Sequence, residues 1–189
     1  MGEQFFFGYG SLVNRSTHHF SPTYPARLTG WRRAWRSAEG RPFSFLTAIP
    51  DPHAALDGLI AAVLDDDWHA LDQREAAYRR LDVTEDTVHD GRGIARVQVY
   101  AIDAGKHSAP RPECPVLLSY LDVVVQGYLQ VFGEGGAALF FAVTQGWDAP
   151  ILNDRAQPLY SRAKELTARE RAFVDHALSD LDVSFIQRS

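Results

Sequence analysis

One carboxylate is out of keeping with its neighbours. On a helical wheel at ~100° per residue, Trp68, Leu71, Glu75 and Tyr78 share one arc, the three- and four-residue spacing of a buried stripe. Glu75 stands where an apolar side chain is expected. Partial desolvation there raises a carboxyl pKa from ~4.3 toward neutrality. Such a group can take a proton as general base and return it as general acid. A structural ion pair with Arg74, Arg79 or Arg80 is the alternative that the helix by itself leaves open. The second chemical feature is the turn Phe7-Gly8-Tyr9-Gly10-Ser11-Leu12 at the end of an apolar run. Its glycines permit close approach and unusual dihedrals, so bare N–H groups can meet a small anion.

Other candidates carry less. Ser11 is not in a nucleophile elbow, because Tyr9 stands where the first glycine belongs. The Gly133-Glu134-Gly135-Gly136-Ala137-Ala138 run has dinucleotide-fingerprint spacing but follows a predicted helix instead of a strand. Cys114 is alone, so neither a disulfide framework nor a cysteine metal cluster is expected. The histidines, His18-His19 included, lack zinc-site spacing. Asp65-Asp66-Asp67 reads as an acidic entry to a helix, with a hard cation as the lesser reading. No metal site is expected.

These residues need a scaffold, and 189 residues with 46% apolar content suffice for one medium domain. A net charge of −5 without a basic stripe argues against nucleic acid as a partner. Met1-Gly2-Glu3-Gln4 lacks a signal peptide's basic region, Phe6 breaks the myristoylation pattern, and the longest apolar stretch carries Asp122 and Gln126. A cytoplasmic protein with no membrane partner is expected.

The first half alternates strand-like runs and turns. Strands are expected at Phe5–Tyr9, Ala26–Arg36, Pro42–Ile49 (closed by Asp51-Pro52) and Gly58–Leu64. Asp82–His89 and Ile94–Ile102 read as a hairpin. Helices are expected from Asp67 to Leu81, from Pro115 to Phe132 with Gly133 as the stop, and from the capping box Thr167-Ala168-Arg169-Glu170 to Leu181. Residues 146–162 read as a long ordered loop, a kind that is often functional. Strands first and helices later predict an α+β fold, with a mixed, mostly antiparallel curved sheet or small β-barrel flanked by helices. The apolar face of residues 117–132 is expected to be core, and in part a partner surface.

Phe-Gly-Tyr-Gly-Ser-Leu at the N-terminus and Leu71-Asp72-Gln73-Arg74-Glu75 some sixty-five residues on together resemble the γ-glutamylcyclotransferase family, including its ChaC-like and AIG2-like branches. Gly30-Trp31-Arg32-Arg33, Asp57-Gly58-Leu59-Ile60-Ala61 and Ser119-Tyr120-Leu121-Asp122 resemble further segments of it. Two positions depart from the family pattern: Ala77 precedes Tyr78 where many relatives have glycine, and Tyr128 replaces a usually small residue.

The resemblance implies a small α+β fold with a barrel core and a cavity at one end, spanning residues 1–189, with 146–189 as a loop-plus-helix extension. It implies a cofactor-free and metal-free enzyme that cyclises a γ-glutamyl amide or peptide to 5-oxoproline, releasing an amine or amino acid. By resemblance Glu75 is the general acid/base, and Tyr9, Gly10, Ser11 and Leu12 bind the γ-glutamyl group. Tyr78 shares the Glu75 face and is a candidate cavity residue. The expected partners are a small γ-glutamyl substrate and a second copy in a homodimer. A catalytically silent binding or regulatory module is the alternative function, and an interaction protein built on helix 115–132 is a third.

Overall fold

The computed structural model describes residues 3–64 and 67–187. Asp65 and Asp66 of the aspartate run, and the Met1-Gly2 start, lie outside the described residues. Strands β1 (Glu3–Gly8), β2 (Thr23–Arg36) and β3 (Phe45–Val63) come first, followed by a short helix α1 (His69–Arg74). Then come β4 (Arg79–Asp82), β5 (Thr87–His89), β6 (Ile94–Ala101), β7 (Val116–Leu117) and α2 (Leu118–Val143). β8 (Ile151–Asn153), α3 (Ala168–Asp180) and β9 (Phe185–Gln187) complete the chain.

The main sheet is six-stranded in the order β4-β6-β1-β3-β2-β5, and only the β1–β6 pair is parallel. Its two edge strands, β4 and β5, are consecutive and separated by four residues, Val83–Asp86. A four-residue link between opposite edges requires the sheet to curl strongly, which makes it a half-barrel. β7, β8 and β9 form a small parallel sheet beside it. This is the expected α+β class.

Central strand β1 alternates its three phenylalanines between two apolar clusters, as a period-two strand must. Phe5 and Phe7 join the large core with Leu121, Val124, Val125 and Tyr128 of α2. Phe6 faces Leu12, Trp68, Leu71 and Tyr100 on the other side. β1 is therefore covered on both faces, which explains its unbroken apolar run.

Four local expectations are corrected. The helix expected to Leu81 ends at Arg74, because residues 79–82 pair with β6 and sheet pairing overrides the helical stripe. Asp51-Pro52 does not close a strand. β3 runs through it alongside β2, and the register shift falls near Gly30, whose φ of 76° an L side chain would resist. Residues 82–89 and 94–102 form no hairpin; β5 pairs with β2, and β6 with β1 and β4. Gly133 (φ 67°, ψ −171°) breaks the helix as expected, but helix resumes at once and extends to Val143.

The Thr167 capping box is present, with Glu170 as its return partner. No helix among the described residues is long and apolar enough to cross a membrane.

Candidate functional site

β1 delivers the chain into the glycine turn, which continues as a 3-10 turn over Ser11–Val13. The turn is pinned from within by Val13 N–H donating to Gly10 C=O at 3.0 Å. It is pinned against α2 by Asn14, whose side-chain amide donates to Val123 C=O and Gln126 Oε1, each at 2.9 Å. Gly127 permits that approach, since a Cβ there would lie 2.6 Å from Asn14 N. Gly10 is equally constrained: an added Cβ would sit 2.7 Å from the Tyr120 hydroxyl.

Glu75 terminates α1, with its backbone N–H donating to Leu71 C=O at 2.9 Å. Arg74 links it to the glycine turn. The Arg74 Nε lies 3.2 Å from Glu75 Oε1, while its other nitrogens donate to Thr17 C=O at 2.9 Å and Ser11 Oγ at 3.2 Å. Tyr78 lies beyond α1, in the turn toward β4, yet it still faces Glu75's cavity and donates to Leu46 C=O at 2.9 Å. Tyr120 of α2 completes the wall, edge-on to both Trp35 and Tyr160.

These side chains enclose a cavity of about 280 Å³ lined by Ser11, Arg41, Arg74, Glu75, Tyr78, Tyr120 and Arg162, among others. A recess of about 40 Å³ adjoins it through shared walls at Ser11, Glu75, Tyr78 and Tyr120. Tyr9, Gly10 and Leu12 line the recess. All six candidate residues therefore line one or both of these two adjoining spaces. The Tyr9 hydroxyl donates to Tyr100 C=O at 2.6 Å.

Burial pushes the Glu75 carboxyl above its ordinary range, against a smaller downward pull from the Arg74 and Arg162 charges. Its side chain is only 17% exposed. Burial also holds the Tyr9, Tyr78 and Tyr120 phenols well above their ordinary value, so near neutrality they are proton-bearing donors. Glu75 is thus a cavity carboxyl that burial makes harder to ionise than an exposed one. No cluster of three or more metal-ligating side chains occurs among the described residues.

Sequence reasoning missed Arg41, and it marked Tyr160 and Arg162 only as part of the long ordered loop 146–162 and not as individual cavity residues. Arg41 and Tyr160 come from segments without regular structure, as does Arg162, and no local periodicity marks them. Residues 154–162 form a strap across the start of α2. The Asp154 carboxylate accepts from Ser119 N–H (2.8 Å), Ser119 Oγ–H (2.6 Å) and Leu159 N–H (2.8 Å). Arg155 pairs with Asp122 at 2.7 Å and Asp175 at 2.6 Å.

The sequence profile of the family described as Gamma-glutamyl cyclotransferase, AIG2-like, matches residues 6–117, more than half of the chain. The chain belongs to this family. The match includes the glycine turn and Glu75, while Tyr120, Tyr160 and Arg162 lie beyond it. Among solved structures, one described as a gamma-glutamyl cyclotransferase aligns at a TM-score of 0.59 with 14% identity, covering 92% of this chain and 99% of that one. An uncharacterized human protein aligns at 0.59 with 13% identity over 93% and 99% of the two chains. YkqA from Bacillus subtilis aligns at 0.57 with 16% identity over 77% of this chain and 57% of its own. At these identities the likeness is one of fold. No curated protein sequence matches the chain.

Proposed function

We propose that this chain is a γ-glutamyl cyclotransferase with Glu75 as its general acid/base. The carrying observation is a buried carboxyl, raised in pKa, on the wall of a cavity it shares with the glycine turn. The α-amine of a γ-glutamyl compound is largely ammonium near neutrality, with a pKa of ~8. Glu75 takes a proton from it, and the freed nitrogen attacks the γ-carbonyl carbon to close a five-membered ring. The bond from that carbon to the leaving nitrogen breaks, and Glu75 returns the proton to the leaving amine. The products are 5-oxoproline and a free amine or amino acid.

The Tyr9–Leu12 turn holds the γ-glutamyl moiety, with N–H groups directed at its carboxylate. Fixing the chain with nitrogen near carbon removes entropy that the free substrate would lose at the transition state. Tyr120 acts as a neutral hydroxyl donor on the same wall, and Tyr78, whose proton goes to Leu46 C=O, shapes it.

The Arg74–Glu75 contact favours a second reading, a silent binding module whose carboxylate is a structural ion pair. A carboxylate held mainly as an arginine's partner is pushed below its ordinary range, whereas burial dominates at Glu75 and pushes it up. That sign favours catalysis. Arg74 also spends one terminal nitrogen on Ser11 of the turn and the other on Thr17 C=O, which leaves it acting as a brace between Glu75 and Ser11.

The leaving group is read from Arg41 and Arg162, neither of which forms a salt bridge among the described residues, although the Arg162 charge reaches Glu75. Two such charges in one cavity suit a substrate that carries a carboxylate at each end. We therefore place γ-glutamyl amino acids or peptides ahead of simple γ-glutamyl amines. The test of the function is 5-oxoproline release from a panel of γ-glutamyl compounds, with Glu75→Gln as the control that keeps shape and removes the proton carrier.

A further inference from the structure

Arg33 is 1% exposed and pairs with no carboxylate among the described residues. Its Nε donates to Thr144 Oγ1 at 2.9 Å. One terminal nitrogen donates to the Tyr9 carbonyl at 3.0 Å and also to the Tyr128 hydroxyl. The guanidinium lies 4.4 Å from the ring centre of Phe140 and 5.0 Å from that of Tyr128. The Tyr128 hydroxyl stands 2.6 Å from Asp57 C=O and 3.1 Å from the same Tyr9 carbonyl, with one proton to serve both.

A buried charge that meets only oxygen dipoles and rings is a costly way to fill a core, and an apolar side chain of similar volume is commonly as stable or more so. The position of Arg33 supplies another reason for the charge. Tyr9 C=O and Gly10 N–H belong to one planar trans peptide, so they point in opposite directions. With the carbonyl drawn into the core by Arg33 and Tyr128, Gly10 N–H is turned outward, toward the side where Gly10 lines the recess with Glu75, Tyr78 and Tyr120. The guanidinium also polarises that peptide, which strengthens its N–H as a donor to an anion.

We infer that Arg33 and Tyr128 are positioning residues for substrate binding: they set and polarise the Tyr9–Gly10 peptide so that Gly10 N–H binds the γ-glutamyl carboxylate. Neither side chain lines the cavity, so each acts through the peptide. The inference rests on the cyclotransferase reading given above. It also gives a reason for the large side chain at position 128, where a tyrosine follows Gly127.

Three variants test it: Arg33→Met, Arg33→Lys and Tyr128→Phe. The expected result for Arg33→Met is a melting temperature equal to or above that of the parent, with KM for γ-glutamylalanine raised about tenfold or more and kcat changed less. Arg33→Lys keeps the charge and recovers part of the loss. Tyr128→Phe keeps the packing and raises KM by a smaller factor. Should Arg33→Met not fold, the Tyr128→Phe shift in KM decides. A purely structural role predicts the reverse pattern, with a lowered melting temperature and an unchanged KM, and that result overturns the inference. Calorimetric binding of γ-glutamylalanine to Glu75→Gln and to Glu75→Gln/Arg33→Met separates the two claims. Equal affinity in both overturns the positioning role and leaves the cyclotransferase reading standing. Absence of binding in both, together with no 5-oxoproline from the parent, overturns the function and the positioning role with it.

Discussion

A carboxyl group that takes a proton and later returns it has to titrate near neutrality, and at Glu75 burial supplies the upward push. The acid limb of the kcat/KM profile should then lie above the ordinary carboxylate value of 4.5. The Arg162 charge favours the ionised carboxylate. Arg162→Gln should therefore move that limb to higher pH, by less than about one unit for a charge so accessible to water. A limb that stays in place or moves down contradicts this electrostatic assignment.

Gly10 gives a steric test at the same scale. A methyl group there collides with the Tyr120 hydroxyl at 2.7 Å, so Gly10→Ala should lower kcat/KM about tenfold or more. Each half of the Glu75–glycine-turn pair is marked in the sequence, by a carboxylate among apolar residues and by glycines at a strand end, but their meeting comes only from the family resemblance, since the helical stripe that marks Glu75 ends at Arg74. Arg41 and Arg162 had no such signal, since only the folded chain brings them to Glu75.

The strap of residues 154–162 is the element that brings Tyr160 and Arg162 to the cavity. Its main anchor is Asp154, a buried carboxylate with three donors at the start of α2. Asp154→Ala should cost about 2–3 kcal/mol in denaturant unfolding, the scale of hydrogen bonds to a charged group. The same variant should also erode the preference for a carboxylate-bearing leaving group. That preference is measured as the kcat/KM ratio of γ-glutamylalanine to γ-glutamylalaninamide, expected to be about tenfold in the parent. A ratio near one in the parent contradicts the reading of Arg41 and Arg162.

Elements with both boundaries written locally, such as α3 and its capping box, were readable from sequence. Elements bounded by distant pairing were not. α1 stops at Arg74 because β6, twenty residues later in the chain, claims Arg79–Asp82. The missed continuity of β3 has the same origin, since its partner β2 holds it extended through Asp51-Pro52.

At the scale of the molecule, the sheet curls until consecutive strands β4 and β5 form its two edges, and the glycine turn opens from central strand β1. The α+β class was legible because strand-like runs precede helical ones, while the closure depends on pairings between distant segments. His18 packs edge-on to Phe6 under this turn, and burial depresses its pKa to about 4. An unfolded chain protonates this imidazole near 6.5, which the native state resists. Its contribution to stability is therefore complete above pH 6.5 and is lost as pH falls toward 4. His18→Gln should flatten the stability curve over that window. Glu75 has the opposite sign: its raised carboxyl makes folding progressively less favourable as pH rises above the ordinary carboxylate range.

The most direct measurement is the rate of 5-oxoproline release from γ-glutamylalanine by the parent and by Glu75→Gln, with circular dichroism confirming that both are folded. The parent should release 5-oxoproline together with one equivalent of alanine, and Glu75→Gln should lose activity by a factor of about 10² to 10⁴. Full activity in a folded Glu75→Gln protein, or no 5-oxoproline from the parent with any γ-glutamyl compound, would contradict the assignment of Glu75 as the proton carrier of a cyclotransferase.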